Sequence, residues 1–226
     1  MKISSKTLSL LQSFAQISSN LLVKPGNKLA TRNTVNSIQA RAVVEETFPR
    51  QFAIYDLNQL LSLISVSQNP TLEFNEKSLT IRDERGGEIE FFYADESLVT
   101  APSENPPMLE DVYSFTLTAN DINKIIKTAS IVSATMLNVV SANGAVTLSV
   151  NDPKNGTSNS MRQVLGSSEH AFNMKMSIDS FKVVPGEYTV RVANALSKAG
   201  KVLVFFFEST NSDLTYLIAA DSSSKV

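Results

Sequence analysis

Apolar residues recur at helical spacing in three stretches, and short strand-like runs fill most of the remaining chain. In 118–132, Ile122, Ile125, Ile126 and Ala129 fall at i, i+3, i+4 and i+7 and predict a packed face, while Asn120, Asn123, Lys124 and Lys127 fall on the opposite side. Thr118 followed by Asp121 reads as a capping box that starts this helix, each side chain satisfying donors the first turn leaves free. The stretch 4–18 has the same character. Leu10, Leu11, Phe14 and Ile17 oppose Lys6, Ser9, Ser13 and Gln16, with Lys2 just upstream. In 56–65, Asp56 is the expected N-cap, Leu57, Leu60, Leu61 and Ile64 make the packed face, and Asn58, Gln59 and Ser62 point away.

Between the helices the period changes to that of strands. The first half predicts strand, Pro25-Gly26-Asn27 turn and strand over 21–32, a strand pair within 34–44, a short strand at 51–55, and three strands at 71–74, 78–83 and 88–93. The second half predicts a strand at 114–116 and a hairpin about Asn143-Gly144. Strands follow at 161–165 and 171–176, then a short helix at 178–183 stopped by Pro185-Gly186. Three further strands are expected at 187–193, 201–207 and 214–220. Both halves thus run helix, strands, short helix, three strands, with Asp56 and Asp179 each placed at the start of the short helix. This order predicts a duplicated α+β domain: a first domain at 1–99, a second at 111–226, and a linker at 100–110 whose Pro102, Pro106 and Pro107 forbid regular structure.

With 226 residues, 42% of them hydrophobic, each half can bury a core of its own. The net charge of −2 argues against a uniformly basic nucleic-acid binder, but the charges are segregated. Residues 1–44 hold six lysines and arginines and no acid, whereas 73–111 is dominated by Asp and Glu. The absence of cysteine excludes disulfides, thiolate metal sites and cysteine nucleophiles and fits a reducing compartment. No apolar run approaches membrane-spanning length and no signal-like start is present, so a soluble cytoplasmic protein is expected. His170, the single histidine, has no paired nucleophile. There is no phosphate-cradling glycine loop, metal-ligand spacing or carboxylate pair in an apolar setting. The expectation is a non-enzyme without cofactor, metal or catalytic residue.

Four segments carry a family resemblance: 2–17 (KISSKTLSLLQSFAQI), 52–63 (FAIYDLNQLLSL), 181–188 (FKVVPGEY) and LIAADSS near the end. They resemble the trimeric sliding clamps of tailed phages, the processivity factors of DNA polymerases, and more distantly proliferating cell nuclear antigen. The resemblance spans essentially the whole chain. It implies the DNA clamp fold, two similar domains with outer sheets and two inner helices each, closed as a homotrimeric ring around double-stranded DNA. Six such domains would set twelve helices ~10 Å apart and leave an opening of about 28 Å, wider than a duplex of roughly 20 Å. It further implies tethering of a DNA polymerase through that enzyme's C-terminal peptide, an ATP-dependent clamp loader and late-transcription factors as partners, and the host cytoplasm as location. Carried onto this sequence, Lys2, Lys6, Lys124, Lys127 and Lys182 would face DNA. Val99, Pro102, Met108, Leu109 and Ile218 would line the partner-peptide pocket. The strand at 88–93 would pair with 161–165 of a neighbouring subunit. The competing reading is a β-rich, ring-forming phage structural or assembly protein without a DNA role.

Overall fold

The computed structural model describes residues 1–197 and 200–226. The chain divides into two compact units, Met1–Ser103 and Glu104–Val226.

Unit 1 runs α1 (Ser5–Ile17), β1 (Leu21–Val23), β2 (Gly26–Arg32), β3 (Ile38–Phe48), β4 (Phe52–Ile54), α2 (Leu57–Val66), β5 (Thr71–Phe74), β6 (Ser78–Arg82) and β7 (Glu88–Phe92), then a 3-10 turn at Glu96–Leu98. β1 pairs with β4, β2 with β3, and β5-β6-β7 forms an antiparallel meander. The strand pair expected at 34–44 is instead one strand of eleven residues, β3, whose hairpin partner is β2. Asn33 makes the turn between them: its side-chain oxygen accepts from Ser37 N and Ile38 N at 2.8 and 3.3 Å. β3 alternates strictly, with Ile38, Ala40, Ala42, Val44, Glu46 and Phe48 buried. Helix α1 packs against α2 and β3. The unit also holds an aromatic cluster in which Phe52 stacks on Tyr93 at 4.9 Å and Phe48 meets Phe74 edge-on at 6.1 Å.

Unit 2 runs β8 (Met108–Leu117), α3 (Ala119–Ile131), β9 (Met136–Ala142), β10 (Ala145–Asn151), β11 (Met161–Ser167) and β12 (Phe172–Ser177). A 3-10 turn at Ile178–Ser180 follows, then β13 (Tyr188–Ser197), β14 (Gly200–Ser209) and β15 (Leu214–Ala219). One antiparallel sheet has the order β11-β10-β9-β12; the other pairs β15-β14-β13-β8. The β9–β10 turn is built on Asn143 and Gly144, both at positive φ (53° and 80°), as a tight two-residue turn demands. Phe205, Phe207, Tyr216, Val190 and Val192 fill the core, with Ile122 and Ile125 from α3.

Four expectations do not hold. The short helix at 178–183 is only a 3-10 turn of three residues. Its cap is Ser177, whose hydroxyl accepts from Asp179 N, so Asp179 does not repeat the capping role of Asp56. Val183 and Val184 are β-branched and Val184 precedes Pro185, so the chain leaves the helical region at once. Among the described residues unit 2 therefore contributes one α-helix, not two. Finally, β8 begins at Met108, inside the predicted linker, and extends well beyond 114–116. The preceding segment is anchored rather than free: Thr100 N donates to Asn20 Oδ1 at 2.9 Å, Arg32 Nε to Ala101 O at 2.9 Å and Arg41 Nη2 to Ser103 O at 2.6 Å.

Candidate nucleic-acid interface

Each α-helix presents a polar face kept almost free of acid by its own sequence. In α3 the packed face is Ile122, Ile125 and Ala129. Ile126, expected on that face, is 41% exposed because it lies at the edge of the stripe. Asn120, Asn123, Lys124, Lys127 and Ser130 are exposed. The one acid of the helix, Asp121, is held in the capping box. Thr118 N and Oγ1 donate to its carboxylate at 2.9 and 2.7 Å, and Gln163 of β11 donates at 3.2 Å. These donors, led by the Thr118 backbone N–H, hold the Asp121 carboxyl below the usual carboxylate range.

α1 buries Thr7, Leu11, Phe14 and Ile17 and exposes Ser5, Lys6, Ser9, Gln12 and Gln16. Its N-terminus is closed from the neighbouring strand. Glu46 of β3 accepts from Ser4 N and, at 2.6 Å, from Thr7 Oγ1. Burial alone would push the Glu46 carboxyl up, but the Thr7 hydroxyl and Ser4 N–H outweigh it and hold it below its ordinary value. α2 is capped by Asp56, which accepts from Gln59 N at 3.0 Å, and exposes Asn58, Gln59, Ser62 and Ser65 with no charge between.

All five lysines expected to face DNA are exposed. Lys6 lies 3.8 Å from Glu45, a solvated pair of small worth. Lys124 and Lys127 stand one turn apart on α3. Lys182 follows the 3-10 turn and edges a groove of about 350 Å³ lined also by Ile126, Ala129, Ser130, Ile178 and Phe181. Acid gathers on strands instead, as where Arg82 pairs with both Glu73 and Glu88 across β5-β6-β7.

The five predicted pocket residues divide. Val99 and Pro102 are half-buried in unit 1; Met108, Leu109 and Ile218 belong to unit 2. Met108 is 75% exposed. Leu109 sits opposite Ala195 and packs with Leu217 on Ala193, Ala195 and Val204. Ile218 is fully buried, facing the core beside Phe205, and has no surface to offer a partner. The alternation of β15 puts its neighbour Leu217, half-buried, on the opposite face.

No family model matches the chain. The sliding clamp of Vibrio phage KVP40 is 29% identical over 181 residues, spanning 78% of this chain and 77% of its own length. Those of Escherichia phage RB69 and Enterobacteria phage T4 are 27% and 25% identical and match over 98% or more of both chains. This chain belongs to the phage sliding clamps. The clamp fold also has solved counterparts. Proliferating cell nuclear antigen of Entamoeba histolytica aligns with a TM-score of 0.63 over 95% of this chain and 94% of its own, at 14% identity. The PCNA2–PCNA3 complex of Sulfolobus tokodaii gives 0.65 over 95% of each chain, at 11% identity. Among the described residues of this clamp no group of three His, Cys, Asp or Glu side chains could hold a metal, and no helix is long and apolar enough to cross a membrane.

Proposed function

We infer that this sliding clamp closes as a homotrimeric ring around duplex DNA and tethers the replicative polymerase, holding DNA by topology rather than by catalysis or base reading. The observation that carries the reading is the exposed face of each helix. In both units these faces are polar; they bear Lys6 in unit 1 and Lys124 and Lys127 in unit 2, and the one helical acid, Asp121, is confined in a cap. Such a surface attracts phosphates without reading sequence, which a ring that must slide requires. Lys2 precedes α1 in unit 1, and Lys182 borders the groove beside α3 in unit 2. A structural ring protein would need no such partition of charge.

Ring closure is assigned to two strands at the edges of their sheets, β7 and β11. The polymerase peptide is assigned to the unit 2 patch of Leu109 and Leu217, with Met108 exposed at the start of the same strand. Loading around DNA calls for an ATP-dependent loader to open the ring, and late-transcription factors would share the same docking face. Native mass across a dilution series, followed by retention on circular against linear DNA, tests the reading. A species near three times 24.6 kDa that stays on circles and runs off linear ends is expected. A monomer at every concentration that is never retained on circles would overturn it.

A further inference from the structure

The two units do not offer duplex DNA the same surface, although the clamp reading gives them equivalent places around it. In unit 2, Lys124 and Lys127 project from the middle of α3, and Lys182 follows the 3-10 turn. The acids on these elements are Asp121, tied up in its cap, and the exposed Asp179. On and next to the helices of unit 1 the cations lie only at the start of α1: Lys2, and Lys6 beside Glu45. Beyond Lys6, the exposed faces of α1 and α2 are uncharged. Ser9, Gln12 and Gln16 continue along α1, and Asn58, Gln59 and Ser62 lie on α2, with Asp56 spent as its cap.

We propose that unit 2 supplies the ionic hold on the DNA phosphates, while unit 1 presents an uncharged hydrogen-bonding face along which the duplex glides. This rests on the clamp reading. Its physical consequence is specific. Neutralised phosphates release counterions, so only ionic contacts steepen the fall of log K with log salt, by about 0.9 per phosphate. Hydroxyl and amide contacts, direct or through water, hold DNA without adding to that slope. Ionic contact confined to half of the ring also leaves fewer wells for a sliding duplex to leave at each step.

The test is binding of a short fluorescent duplex to the intact oligomer as a function of salt, for four variants. Lys124→Gln with Lys127→Gln, six cations in a trimeric ring, should flatten the slope by up to about 5, and Lys2→Gln with Lys6→Gln by less than half as much. Gln12→Ala with Gln16→Ala should leave the slope unchanged, whereas Gln12→Glu with Gln16→Glu should weaken binding several-fold by setting carboxylates against phosphate. Equal flattening by the two lysine pairs would overturn the division of labour. Parent-like binding of the glutamate variant would also overturn it, by showing that α1 does not meet DNA. Failure of the clamp reading would look different: the parent itself would show no salt-dependent duplex binding and no retention on circles.

Discussion

Glu46 is a buried carboxylate that pairs with no cation among the described residues; Ser4 N–H and the Thr7 hydroxyl at the start of α1 donate to it instead. It satisfies orphan donors of a helix N-terminus from a neighbouring strand, and its charge suits the positive end of the helix dipole. Glu46→Ala leaves those donors unpaired and should cost about 2 kcal/mol, with Glu46→Gln costing less. The pH dependence follows from the direction of the shift. The folded carboxyl sits below its ordinary value, so its stabilisation is complete above the unfolded glutamate range and disappears as pH falls through the folded value. Denaturant midpoints should therefore separate parent and Glu46→Gln at pH 7 and draw together at acid pH, below the ordinary glutamate range. An unchanged gap at both pH values would show that charge plays no part. Glu46 was legible in principle, because the alternation of β3 places it inward with Val44 and Phe48. It was hidden because a charged residue reads as the end of a buried strand until its partner, 39 residues earlier in Thr7, is known.

At the level of elements, the helices with a sustained apolar period and a marked cap were readable, while the short segment at 178–183 was not. Its apolar residues sit at plausible spacing, but three β-branched or proline positions follow within a turn, and nucleating a helix for so few residues is unfavourable. The loop beyond it is held by tertiary bonds instead. Tyr188 donates from its hydroxyl to Val184 O at 3.0 Å, and Val184 N donates to the Tyr216 hydroxyl at 3.3 Å. Burial raises the Tyr188 phenol well above its ordinary value, so it remains a donor at any physiological pH. α3, by contrast, depends on its own start signal. Thr118→Ala and Asp121→Ala should each cost about 1 kcal/mol, and the double variant less than the sum, since the two residues make one reciprocal cap. Additive losses in a thermal or denaturant cycle would show that the two act separately. Charge reversal on the same helix should act elsewhere: Lys124→Glu with Lys127→Glu should leave these midpoints nearly unchanged, leave oligomer mass intact, and lower processive synthesis at physiological salt. Unaltered processivity would remove these lysines from the DNA surface.

For the whole molecule, the question is what becomes of the two edges. An exposed strand edge is a row of unpaired donors and acceptors, and proteins usually blunt it or use it. β7 keeps Phe92 67% exposed, with Glu88 and Glu90 exposed beside it. β11 keeps Val164 69% exposed, with Arg162 exposed beside it. Neither edge is blunted by proline, and their charges are opposite in sign. Antiparallel pairing of β7 in one subunit with β11 in the next would cover both apolar side chains and bring Arg162 toward the glutamates. It would also continue the sheets across each joint. Such a contact is head-to-tail, so it closes into a ring or runs on as a filament according to the rotation per step. Burial of a Phe or Val side chain is worth roughly 1.5–3 kcal/mol, and each 1.4 kcal/mol is about tenfold in affinity. Phe92→Glu or Val164→Glu should therefore weaken every joint by about tenfold or more. Native mass should fall toward 24.6 kDa on dilution at concentrations where the parent remains a multiple, with far-ultraviolet circular dichroism unchanged. A variant that keeps the parent's mass at every dilution would place the joint elsewhere on the subunit.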